Sequence, residues 1–180
     1  MQNTKMCQPP CSYEAFLDIE TTGLSPATSK ITLVGILRDG AYIVLVNGEN
    51  LDTQNLLEAL HEVDTVYTFN GKRFDIPFIR ERMGIDVVEA LGLKHVDVMY
   101  GCHRFGLKGG QKAVEKSFGL CRDTEGMDGR KAAILGKRWL MCRDNETLDL
   151  LVRYNEEDVR NLSRIKNILD NLEEMENSDK

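Results

Sequence analysis

The chain has 180 residues, 42% of them hydrophobic and 29% charged, which suits one soluble globular domain with its own core and excludes disordered or fibrous chains. No stretch approaches the roughly 20 apolar residues that span a bilayer, and MQNTKMCQPPCSY lacks the apolar run of a secretory signal, so a cytoplasmic protein with no membrane partner is expected. A net charge of −6 at first sight argues against a nucleic-acid partner.

In chain order, residues 1–12 carry no pattern and read as a flexible segment. Cys7 and Cys11 lie there; with Cys102, Cys121 and Cys142 they make five cysteines without zinc-type spacing. Free thiols are the first reading, and a metal or iron–sulfur site a distant second. YEAFLDI (13–19) reads as a strand with its acids at the C-terminal end, and ETTGLSPATSK as a turn marked by Gly23 and Pro26. ITLVGIL (31–37) and AYIVLV (41–46) flank Asp39-Gly40, a strong hairpin signal, so three antiparallel strands are expected in a row. A helix follows over 52–62, with Leu56, Leu57 and Leu60 at helical spacing. TVYTF (65–69) is a buried strand ending at Asn70-Gly71. A helix over 74–83 stops at Gly84, and KHVDVM (94–99) gives a fifth strand.

The remainder reads as helices over 108–118, 129–142 and 145–172, broken at Gly119 and at GMDG. Residues 104–138 hold nine Lys/Arg against four acids, whereas 144–180 hold eleven acids against five bases. A basic segment in an acidic chain suits a phosphate-binding face, though solvated helix faces have the same composition. Lys108, Lys112 and Lys116, four apart, are expected on one helix face. The last helix sets Leu148, Leu151, Val152, Val159, Leu162, Ile165 and Leu169 in one stripe, and 173–180 form a polar, frayed tail. The whole predicts one α/β domain over 13–172, a mixed five-stranded sheet flanked by helices.

Asp18 and Glu20, two apart on a strand, share a face, while Ile19 points into the core. Two solvated acids at a strand end are common, so the pair alone decides little. Tyr154 and Asp158 stack at i and i+4 on the long helix, on the side its apolar stripe turns inward, and a buried carboxylate needs a partner or a metal. Glu156 and Glu157 fall on other faces and read as solvated. Asp75 follows a strand and turn, where an acid at a helix N-terminus is equally ordinary. Two divalent ions about 4 Å apart can run phosphodiester hydrolysis, and hard Mg²⁺ or Mn²⁺ ions prefer carboxylate oxygens. Carboxylates from distant parts of the chain would converge for it.

LDIETTGL (17–24), FNGKRFDIPFI (69–79) and YNEEDV (154–159) resemble the three exonuclease motifs of the DEDD superfamily, in its DEDDy branch, with a ribonuclease H-like fold. A nearer resemblance is to YprB-type ribonuclease H-like domains, through LKGGQKAVEKSFGL (107–120) and GMDGRKAAILGKRW (126–139). It covers about 13–172, and three motifs in order are far more specific than one. The resemblance implies a metal-dependent 3′→5′ exonuclease using two Mg²⁺ or Mn²⁺. Asp18 would bridge both ions, Glu20 and Asp158 would complete the first site, and Asp75 would hold the second. Tyr154 would orient the attacking water. Thr21, Thr22, Gly23 and Leu24 would receive the terminal nucleotide, with Leu24 against its base; Asn70 would brace the site, and Asp97 is an outside candidate for an auxiliary acid. Single-stranded 3′ ends are the expected substrate, guided by Lys108 and Lys112. An endonuclease and an inactive nucleic-acid-binding module of the same fold are the alternatives, and the sequence does not choose between DNA and RNA.

Overall fold

A computed structural model describes residues 13–178; the expected flexible segment, with Cys7 and Cys11, lies outside the described residues. Five strands, β1 (Glu14–Thr21), β2 (Ile31–Arg38), β3 (Ala41–Val46), β4 (Thr65–Thr68) and β5 (Lys94–Asp97), form one sheet in the order β3-β2-β1-β4-β5. The first three strands are antiparallel, while β4 and β5 run parallel to β1. This is the mixed five-stranded sheet that the sequence predicts. Asp39 and Gly40 close the β2–β3 hairpin with φ of 51° and 77°, the left-handed backbone that a tight hairpin requires.

Seven helices are described: α1 (Thr53–Ala59), α2 (Asp75–Met83), α3 (Val87–Leu91), α4 (Val98–Arg104), α5 (Gln111–Ser117), α6 (Gly129–Cys142) and α7 (Asn145–Ser178). None is long and apolar enough to cross a membrane. Alternation along β1 divides the core. Ala15, Leu17 and Ile19 face a cluster with Leu56, Ile76 and Phe78 from α1 and α2. Phe16 faces the opposite cluster, with Val159, Leu162 and Ile165 of α7. Asp18 and Glu20 therefore sit on the α7 side of the sheet.

Two glycines let helices approach that side. A Cβ on Gly35, the β2 partner of Asp18, would lie 1.6 Å from Asn155 Oδ1, and one on Gly136 would lie 2.5 Å from Thr32 Oγ1. The α6 seam is filled by Trp139, which is 2% exposed and packs with Leu33, Val46 and Leu151.

Several expectations need correction. β5 ends at Asp97 because that side chain caps α4, accepting from Met99 N at 3.3 Å. The short helices α3 and α4 occupy segments expected to be loop or strand. α7 continues to Ser178 instead of ending at 172. α5 starts only at Gln111, after Gly109 at φ 103°, so Lys108 lies ahead of the helix and the three lysines do not share a helix face.

Candidate active site

β1 delivers Asp18 and Glu20 at its C-terminal end, where its pairing with β2 slips between Glu20 and Thr21. α7 crosses this end and supplies Asp158, with Tyr154 one turn earlier. Oxygens of Asp18, Glu20 and Asp158 all come within 4.8 Å of one another. Asp158, Glu20 and Tyr154 are buried, and Asp18 keeps partial exposure at the floor of a cleft.

Asp75, the first residue of α2, is buried beside this trio without being part of it; its Oδ1 accepts from Ile19 N at 3.1 Å. Asp97 accepts from the backbone N–H groups of Asn70 at 2.7 Å and Lys72 at 3.1 Å, besides capping α4. An acid held by three backbone donors is a brace, which replaces the auxiliary-acid expectation. It fixes the turn at Asn70, whose φ is 62°.

Two residues of the site, Asn155 and Arg122, escaped the sequence reading, and a third, Lys112, was read in another role. Asn155, fully buried, donates from Nδ2 to Asp18 Oδ2 at 2.8 Å and accepts from the Tyr42 hydroxyl at 2.9 Å. Its trace was an amide at a core position of the α7 stripe. Arg122 pairs with buried Glu115 at 2.5 Å and with Asp158. Nothing in the periodicity of a loop arginine announced this. Lys112 was expected to guide a nucleic-acid strand; instead its ammonium turns inward and donates to the Tyr154 hydroxyl at 2.7 Å and to Met127 O. Glu157, read as solvated, accepts from Asp123 N at 2.6 Å and ties the loop before α6 to α7.

Crowding of carboxylates shapes their charge. Burial, then repulsion from Asp158, raises the pKa values of Asp18 and Glu20 well above the usual carboxylate range. Burial pushes Asp75 up to about 7. It pushes Asp158 up to about 6, against the opposing pull of Arg122. Burial and the Asp158 charge raise Tyr154 far above its ordinary value, so its hydroxyl stays protonated. Three mutually repelling carboxylates with all-oxygen donors suit a hard divalent cation, whose charge would relieve what raises their pKa values.

The cleft above the acids has a volume of about 660 Å³. It is lined by Thr21, Thr22, Gly23 and Leu24 after β1, by Asn70 and Phe74 before α2, and by α6. Lys108 and Lys112 do not line it.

A ribonuclease H-like sheet with acids gathered at the end of its central strand defines the class. The sequence matches the RNase_H superfamily (RNase_H_2) over residues 15–170, and the chain belongs to that family. No curated protein sequence matches it. Among solved structures, it is similar to the family B DNA polymerase of the hyperthermophilic archaeon Pyrobaculum calidifontis, with TM-score 0.69 and 20% identity over 89% of this chain. The match covers only 25% of the polymerase. Brucella melitensis NrnC with bound Mg²⁺ is similar at TM-score 0.62 and 18% identity, over 93% of this chain and 76% of NrnC. A structure described as the apo form of a nuclease matches at TM-score 0.60 and 18% identity, over 87% of this chain and 70% of the other. At these identities the likeness is one of fold.

Proposed function

We propose that the protein is a divalent-metal-dependent 3′→5′ exonuclease of the DEDDy type, akin to YprB-type domains, hydrolysing single-stranded nucleic acid. The carrying observation is the convergence of Asp18, Glu20 and Asp158 within 4.8 Å beneath an open cleft, with Tyr154 beside them. In this reading Asp18, Glu20 and Asp158 would hold one Mg²⁺ or Mn²⁺, and Asp75 would help to hold a second. Cations bound there would supply an acidified water as nucleophile and a sink for charge on the departing 3′ oxygen. The Mg²⁺ reported with NrnC supports the choice of ion.

The remaining steps belong to the chain. Asn155 fixes Asp18 by its 2.8 Å bond, so that carboxylate is pre-oriented. Lys112 donates into the Tyr154 oxygen. The phenol's own proton is thereby left to point at a water or a phosphate oxygen in the cleft. Tyr154 acts as a donor that orients, and its raised pKa argues against a role as base. Leu24, 87% exposed on the cleft wall, offers an apolar surface for the terminal base.

The test is digestion of 5′-labelled linear single strands, blunt duplexes and circular single strands, of DNA and RNA, with Mg²⁺ or Mn²⁺. A ladder shortening from the 3′ end of linear single strands is expected, with circles intact. Cleavage of circles would replace this reading by an endonuclease, and no cleavage in either metal by a binding module.

A further inference from the structure

α6 turns two faces to different surroundings. Ala132, Gly136 and Trp139 seat it on the sheet. Opposite them, Arg130, Ile134, Lys137 and Met141 follow one another at intervals of four, three and four, which puts them on a single face. Ile134 is 60% exposed and Met141 82%, an unusual pair of large apolar side chains to leave in water on one helix. Arg130, Ile134 and Lys137 line the cleft above the acids, as Leu24 does.

Among the described residues, the cations of this face have no ion-pair partner. Neighbouring Arg138 pairs with Asp144, and Lys131 donates to Gly126 O at 2.7 Å. Neither Arg130 nor Lys137 has an acidic partner among the described residues, and they are the two cations lining the cleft. The other nearby cations, Arg122 and Lys112, are turned inward onto Glu115, Asp158 and Tyr154.

We infer that the outer face of α6 is the track for the incoming strand, taking single-stranded nucleic acid with phosphates on Arg130 and Lys137 and a base on Ile134. This rests on the exonuclease reading and deepens it. Seven residues of helix separate the two cations by about 10 Å, with Ile134 between them, so charge and apolar surface alternate along the wall. A free strand offers that alternation, because its phosphates and its unstacked base faces are both exposed. A duplex presents phosphates, sugars and polar base edges, with its base faces stacked away from Ile134 and Leu24. The track replaces the row of Lys108, Lys112 and Lys116 expected from the sequence.

The test measures binding without turnover, in the full chain carrying Asp18→Asn and Asp158→Asn. Fluorescein-labelled oligo(dT) and oligo(U) are titrated by anisotropy at several KCl concentrations. Removing both cations, Arg130→Ala with Lys137→Ala, is expected to weaken binding by at least about tenfold and to flatten the salt slope by about 1.4, two contacts at about 0.7 each on a single strand. Ile134→Ser weakens binding and leaves the slope unchanged. The exchange Arg130→Lys with Lys137→Arg retains binding, and Lys94→Ala with Lys116→Ala, which removes the same charge outside the cleft, stays within about twofold of the parent. If the Arg130/Lys137 variant keeps the parent's affinity and slope, α6 is not the track, although 3′→5′ cleavage would still stand. If the parent binds a blunt duplex as tightly as a single strand, the assignment to single strands fails. A parent that binds neither, together with a wild type that cuts neither, overturns both readings.

Discussion

Asp18 illustrates how much of the site depends on partners that carry no charge. Its carboxylate is crowded by three others and steadied by a single amide, Asn155. Asp18→Asn is expected to abolish metal-dependent hydrolysis. In chelator its melting temperature should hold or rise, because a partly buried, repelled charge has gone; wild-type turnover at saturating metal would defeat the metal-ligand assignment. Tyr154→Phe should be milder, lowering kcat by about 10–1000-fold, the usual range for a positioned acid–base group. Lys112→Met acts on the same hydroxyl, so the double variant should be little worse than Tyr154→Phe alone; additive losses in kcat would show that Lys112 works elsewhere. Periods of two and four put Asp18 with Glu20, and Tyr154 with Asp158, on shared faces, but only the resemblance of three motifs in order joined them to Asp75 as one expected site. Asn155 and Arg122 were not legible in the sequence, since their bonds join residues 137 and 36 positions apart.

Elements reach their positions through close contacts as much as through apolar pattern. Gly35 lets α7 lie on the sheet, and a Cβ there would overlap Asn155 Oδ1. Gly35→Ala should therefore cost about 1–3 kcal/mol by overpacking and lower activity beyond that loss of stability, since Asn155 must turn away from Asp18. Denaturant unfolding and steady-state kinetics on one preparation separate the two effects. The strands, the hairpin and the three long helices were readable because each repeats its pattern or carries its own turn residues. α3 and α4 were not: α3 at five residues is too short for periodicity, α4 begins inside a run that reads as strand, and both starts rest on the side chains of Asp86 and Asp97. The lysine row failed for a related reason, because the Gly109-Gly110 pair delays α5 and a spacing of four has meaning only inside a helix.

At the scale of the whole molecule, the acid cluster makes stability depend on pH and on metal. Asp75 and Asp158, pushed up to about 7 and about 6, bind protons in the folded chain that the unfolded chain, with carboxylates near 4, has already released. Between these limits the native state holds more protons, so stability falls as pH rises. In chelator the protein should therefore melt at a lower temperature at pH 8 than at pH 5.5. Divalent metal should reverse most of that difference at pH 8, adding about 2.7 kcal/mol at a hundredfold excess over Kd. A melting temperature that rises from pH 5.5 to pH 8 in chelator would contradict the arrangement. The seam beneath α6 offers a way to watch such changes. Trp139 is the chain's one tryptophan, and it is buried there with the Arg143 guanidinium 4.9 Å from its ring centroid. Its emission is an intrinsic optical reporter at the root of the helix that walls the cleft, so metal loading, strand capture and unfolding can each be followed as a change in colour or intensity without attaching a dye.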